Sequence, residues 1–360
     1  MRMMLKEAFD RITGRGSAAV TIPAMDGALQ PNTRLDDAKR IFEVKAPDNL
    51  VSSNDVTYFS SGNRLLVFDS SFVAREHLLF DATVTALAAD ADGTLAIGLD
   101  DGRIIFEGGQ TRRSPITRLG STPLKCPTAL AFVNPGTLVV CAGSQLYAPG
   151  EWQHSVMARD ATGSVWTFDV ASGNAEQLLG GLAYPYGILA DGTDGAVVVS
   201  EAWRHRLVHL AGNSKPAPVL ENLPGYPARL TRASDGGAWL SVVAPRSQLI
   251  EFVLRESAFR LRMMAEIDDP NMWVAPSLYS RRNFLEPMQG GALKQMGILK
   301  PWAPSRSYGL VIKLNRDFLP VESLHSRTDG THHGVRSAME IPGALLVASA
   351  GGDAILKAGL

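Results

Sequence analysis

Thr85-Ala-Leu-Ala-Ala-Asp-Ala-Asp-Gly-Thr-Leu-Ala-Ile-Gly98, followed by Asp-Asp-Gly and Arg103-Ile-Ile-Phe106, decides the fold. It reads as a short apolar strand, a turn carrying Asp and Gly, a second apolar strand, and a third after another glycine turn. The same phrase returns as Thr128-Ala-Leu-Ala-Phe-Val-Asn-Pro-Gly-Thr-Leu-Val-Val-Cys141 and as Tyr186-Gly-Ile-Leu-Ala-Asp-Gly-Thr-Asp-Gly-Ala-Val-Val-Val-Ser200. A fourth copy is Ala228-Arg-Leu-Thr-Arg-Ala-Ser-Asp-Gly-Gly-Ala-Trp-Leu-Ser241, with Gln248–Phe252 read as its outer strand. Looser copies begin at Asn54 and at His333. One such unit cannot bury both of its faces, so the copies must stack, and radial stacking of six gives an all-β, six-bladed propeller. A β-sandwich is the competing architecture, but it leaves the repeated Asp/Asn-Gly turn unexplained.

The spacing of the copies is uneven. About 30 residues separate the first two and about 105 the last two, where a blade needs roughly 40–50. The excess, about residues 255–302, has helical periodicity at Arg255–Ile267 and carries Met263, Met264, Met272, Trp273, Met288, Met296 and Trp302. It is expected as a helical insertion between the fifth and sixth blades, either packed on the propeller's side or lying over the channel mouth. Residues 1–38 are expected as a peripheral segment, and 39–360 as the propeller, closed by a strand near 40–46 pairing with the last blade.

Composition narrows the function classes. The 360 residues carry 35 Lys+Arg against 36 Asp+Glu, so no basic face is available for tracking phosphates, and nucleic acid is not an expected partner. There is no apolar run long enough to span a membrane and no signal-peptide core, which makes a cytoplasmic protein the expectation. Two cysteines, Cys126 and Cys141, are too few for a disulfide framework or a cysteine zinc site.

Several segments resemble the strictosidine synthase-like family, a group related to the paraoxonases and gluconolactonases. Leu223-Pro-Gly-Tyr-Pro-Ala-Arg-Leu and Asp235-Gly-Gly-Ala-Trp-Leu are similar to its Leu-Pro-Gly-x-Pro-Asp-Asn-Ile and Asp-Gly-x-Trp segments. Tyr186-Gly-Ile-Leu-Ala with Glu201-Ala-Trp-Arg-His-Arg, and Ser337–Ser349, resemble its later blades; Ser52–Gly62 resembles the start of the paraoxonases. The resemblance covers about residues 50–360 and implies a six-bladed propeller with its site at the central channel. It also implies calcium, which needs six to eight oxygen ligands drawn from several blades. Asn54 and Asp55 match the first-blade ligands, whereas Thr128, Tyr186 and Ala228-Arg229 stand where Asn or Asp belongs. The ligand set is therefore incomplete, and no cofactor is expected. The family's proton-transferring glutamate aligns with Arg336, which cannot act as a base, so strictosidine synthesis itself is excluded.

The residues left to face the channel are Asn54, Asp55, Thr85, Thr128, Tyr186, Arg229, His333 and Arg336. Two converging arginines suit a carboxylate or phosphate. The expected activity is lactone or ester hydrolysis, with Asp55 or His333 as base and Arg229 or Arg336 stabilising the oxyanion; Asn54, Thr85, Thr128 and Tyr186 would bind substrate. The alternatives are a structural Asp55–Arg229 ion pair, a surface position for His333, and a propeller that binds an anionic metabolite without turnover.

Overall fold

The computed structural model describes residues 22–109, 113–192, 195–212, 214–280, 282–287, 294–295, 298–299 and 306–360. Six antiparallel sheets form the blades, five of four strands and one of three. Their innermost strands are Pro47–Ser53, Val84–Ala89, Pro127–Asn134, Pro185–Ala190, Gly225–Arg232 and Val335–Ile341. Each touches the next, and the sixth returns to the first, closing a ring around a central channel. Lys39–Glu43 supplies the outer strand of the last blade by pairing with Ala354–Gly359, so a strand that precedes blade one closes blade six. Before it, Gly27–Leu29 packs on the outer strand of blade five, and Leu35 is fully buried. Met288, Met296, Trp302 and the first 21 residues lie outside the described residues.

Six apolar clusters hold the ring, one in each seam between neighbouring blades. Strands squeezed between two seams are apolar on both faces, which is why Leu95–Leu99 and Ala344–Ser349 read as continuous runs and are buried throughout. The Asp-Gly turns have a local cause. Gly93 and Gly236 take φ of 87° and 86°, a region that L side chains rarely adopt. Asp92 and Asp235 accept from the backbone N–H two residues on, at 2.8 and 2.9 Å.

Two sequence expectations are corrected by the topology. The copy beginning at Asn54 comprises the second and third strands of blade one, not its first two. The inner strand is Pro47–Ser53, and Asn54 and Asp55 form the following turn, both exposed with positive φ (51° and 61°), as a two-residue type I′ hairpin requires. The helical insertion lies inside blade five, because Ala238–Pro245 pairs with Gly309–Leu314 as its third strand. Gln248–Val253 is a helix rather than a strand: Ser247 caps it by accepting from the Ile250 N–H at 3.2 Å. A second helix, Ser257–Glu266, follows.

Candidate functional site

In every blade the pairing of the first two strands slips at the start of the inner strand. A bulge of this kind leaves a residue unpaired and re-aims its side chain. The residues left over are Thr85, Thr128, Tyr186, Ala228-Arg229 and Arg336, with Asn49-Leu50 in blade one beside Asp48. One backbone device, repeated six times, thus gathers these positions at the axis.

Arg229 closes the channel. Its Nε and Nη2 donate to Asp48 Oδ1 and Oδ2 at 2.7 and 2.9 Å. Nη1 donates to the Thr128 carbonyl at 2.9 Å and Nη2 to the Thr85 carbonyl at 2.8 Å. Side chain and partners come from blades five, one, three and two. The guanidinium also lies 5.4 Å from the centroid of the Tyr186 ring, a cation–π contact. Gly187 permits the approach, since a Cβ there would stand 2.1 Å from the Ala228 carbonyl oxygen. Burial opposes ionisation of Asp48, but the Arg229 charge and its hydrogen bonds outweigh it and hold the carboxyl below its usual 3.8. The ion pair anticipated between Arg229 and Asp55 exists with Asp48 instead.

The pair separates two cavities. The one beyond the strand ends, about 200 Å³, is walled by the inner strands with Asn49 and Arg229. The one at the strand starts, about 220 Å³, is lined by Asp48, Thr85, Thr128, Tyr186 and Arg336 and by Asp100, Tyr184, Trp152, Trp203 and Leu278. Trp152 opens the short helix Trp152–Ala158, Trp203 sits on the turn Ala202–Arg204, and Leu278 belongs to the insertion. Leu278 thus brings the insertion to this end of the channel. Trp203 stacks on Tyr184 with centroids 4.4 Å apart, and its indole N–H donates to Ser155 Oγ at 3.0 Å. Fully buried Glu201 fixes that turn through Arg204, Arg206 and the Ala183 N–H.

Arg336 differs from every other charged group in the wall. It makes no hydrogen bond or ion pair among the described residues, and its Nε is buried without a partner; the Thr85 hydroxyl, in the same cavity wall, is also buried and unpartnered. Asp48 and Arg229 cancel, which leaves Arg336 as the uncompensated charge at the inner end. Asp100, half-buried, accepts from the Thr83 N–H at 2.9 Å. Burial raises the pKa of Tyr184 and of Tyr186, so both stay neutral hydroxyls.

His333, expected as a base, lies away from this wall. It is buried, with Nδ1 2.8 Å from Ser307 Oγ and Nε2 2.7 Å from the Arg327 carbonyl. Nε2 donates to a carbonyl and Nδ1 is tied to a hydroxyl, so the ring is held in place as a structural link. Asp55 and Asn54, at the opposite ends of the strands, do not line the cavity. Of the sequence candidates, Thr85, Thr128, Tyr186 and Arg336 meet in one cavity and Arg229 plugs its floor. Asp48, Asp100, Tyr184, Trp152 and Trp203 were missed as site residues. A signal for Asp48 was present: proline precedes the channel residues in Pro47-Asp48, Pro127-Thr128, Pro185-Tyr186 and Pro227-Ala228-Arg229.

The chain is 26% identical over 251 residues to the adipocyte plasma membrane-associated protein of Danio rerio, covering 62% of this chain and 60% of that protein. With its Mus musculus counterpart it shares 26% over 274 residues, 67% and 65% of the two chains. It thus spans less than two thirds of the length of these relatives. No protein-family model matches. Among solved structures, a gluconolactonase from Xanthomonas campestris superposes with a TM-score of 0.58 at 13% identity over 91% of each chain. A calcium-binding regucalcin from Agrobacterium tumefaciens gives 0.53 at 11%, over 90% of this chain and 93% of that one. The chain folds as a six-bladed propeller and is similar in sequence to the adipocyte plasma membrane-associated proteins.

The metal that the family resemblance implies does not fit the residues present. The axis is filled by a guanidinium, the nearest carboxylate is spent on it, and the described residues contain no group of three or more His, Cys, Asp or Glu that could hold an ion. Nor is any helix among them long and apolar enough to cross a membrane.

Proposed function

We propose that the protein binds a small anionic molecule with a flat or apolar body in the cavity at the strand starts. The observation that carries this reading is Arg336, a guanidinium facing an aromatic-lined cavity with a buried, unpartnered Nε, in a wall that also holds the unpartnered Thr85 hydroxyl. Buried donors without partners are rare in folded proteins and call for a missing one; a carboxylate or phosphate oxygen meets that need. Tyr184, Tyr186 and the two tryptophans supply the faces on which an apolar body would rest. At about 220 Å³ the cavity falls below the roughly 300–1,000 Å³ usual for drug-sized ligands, which favours a small metabolite.

Hydrolysis of a lactone or ester is the second reading. Two observations favour it: Asp100 is a carboxylate in the same wall, able to serve as base, and the Arg336 donors could receive a developing oxyanion. The likeness to gluconolactonases adds a shared fold and no more. A thermal-shift screen of aryl and alkyl carboxylates, phosphates, lactones and their neutral amide analogues tests both readings. Stabilisation by anions and not by their amides supports binding, and turnover that Asp100→Asn abolishes while binding persists supports hydrolysis. No anion selectivity in any class would sink the proposal.

A further inference from the structure

We infer that Arg229 is a tethered cation standing in the place of a metal ion, and that the oxygens around it form a latent cation site. Four oxygens converge on the guanidinium: both of Asp48 and the backbone carbonyls of Thr85 and Thr128, each 2.7–2.9 Å from a nitrogen. A carboxylate gripped through both oxygens and carbonyls from separate strands are the ligand types that hard cations select. The two carbonyls belong to bulge residues, so their direction is set by the strand and not by the arginine. The chemistry is therefore that of a cation site, filled from within by a group that cannot lose its charge.

The arrangement does for the ring what a shared ion would do. It joins blades one, two, three and five through one centre, and it neutralises a buried carboxylate that would otherwise be costly. It also leaves the protein with no dependence on a dissociable ion. The inference stands on Arg229 and its oxygens alone, independent of what the neighbouring cavity binds.

Deleting the side chain should expose the vacancy. Wild type, Arg229→Ala and Arg229→Ala/Asp48→Asn would be melted in chelator, in methylguanidinium, and in calcium at about 10 mM, above the roughly 0.1–1 mM dissociation constants of weak oxygen sites. Wild type is expected to be indifferent to all three. Arg229→Ala should melt earlier and regain about 1–3 °C with calcium or methylguanidinium, and the double variant should lose that response because the carboxylate is gone. If Arg229→Ala does not fold in plain buffer, recovery of soluble protein becomes the readout, higher with methylguanidinium present. Absence of any cation response in the single variant overturns the inference. So does stoichiometric calcium in purified wild type, or a wild-type melting temperature that falls on chelation.

Discussion

Asp48 and Arg229 are 181 residues apart in sequence, yet they meet in a two-pronged ion pair on the axis of the ring. Blade one thereby grips blade five across the channel, although neither is the other's neighbour. The pair also forms the floor of the candidate site, so the same contact shapes the cavity and ties the fold.

Breaking one half of a buried pair strands the other. Asp48→Asn or Arg229→Met should each cost about 3–5 kcal/mol, whereas the double change should cost clearly less than the sum. Urea unfolding of the four proteins measures the coupling directly. Additive losses would mean that the two groups do not depend on each other.

Arg336 should behave in the opposite way. It has no partner to strand, so Arg336→Met should leave the melting temperature unchanged or raise it. Affinity for an anion found in the thermal-shift screen should fall about 10–100-fold, the worth of a charged hydrogen bond. Titration calorimetry on a stable variant separates the two effects, and a destabilised Arg336→Met would show that the side chain has a structural role instead.

The insertion is pinned by a buried cluster whose charge sets an acid limit. Glu251, on the first helix of the insertion, lies 3.1 Å from Arg246 Nε and 3.4 Å from His205 Nε2. Burial opposes its ionisation, but hydrogen bonding and charge from His205 and Arg246 hold its pKa near about 2, against 4.5 ordinarily. Its contribution is therefore complete above 4.5 and is lost as pH falls from there towards about 2. His205, whose pKa burial lowers, acts in the same direction, because below 6.5 the unfolded chain takes up that proton first. Melting curves across this range should show Glu251→Gln well below wild type at neutral pH and converging with it in acid. A constant gap would show that the carboxylate's charge is not what anchors the insertion.

The fold was legible because the seams repeat. Strands between two seams are apolar on both faces, and the turns at Gly93, Gly136 and Gly236 each set a left-handed glycine one or two residues after an Asp or Asn. Blade one was read one strand late because Pro47–Ser53 carries Asp48, Asn49, Ser52 and Ser53 and lacks the apolar signature. That shift put Asn54 and Asp55 in the channel on paper and hid Asp48. The insertion was placed after blade five because Gln248–Phe252, which follows the fourth copy, was read as its outer strand; the Ser247 cap and the tertiary grip on Glu251 make it a helix. The aromatic wall was illegible for a different reason. Trp152 and Trp203 come from connections between strands, where no periodicity says which way a side chain will point.

A crystal structure of the protein with an aryl carboxylate that stabilises it tests the account most directly. The account predicts the carboxylate on Arg336, with the ring among Tyr184, Tyr186 and Trp203, and the Asp48–Arg229 pair intact beneath it. A ligand seated in the opposite cavity, or a metal ion on the axis with Arg229 turned away, would contradict it.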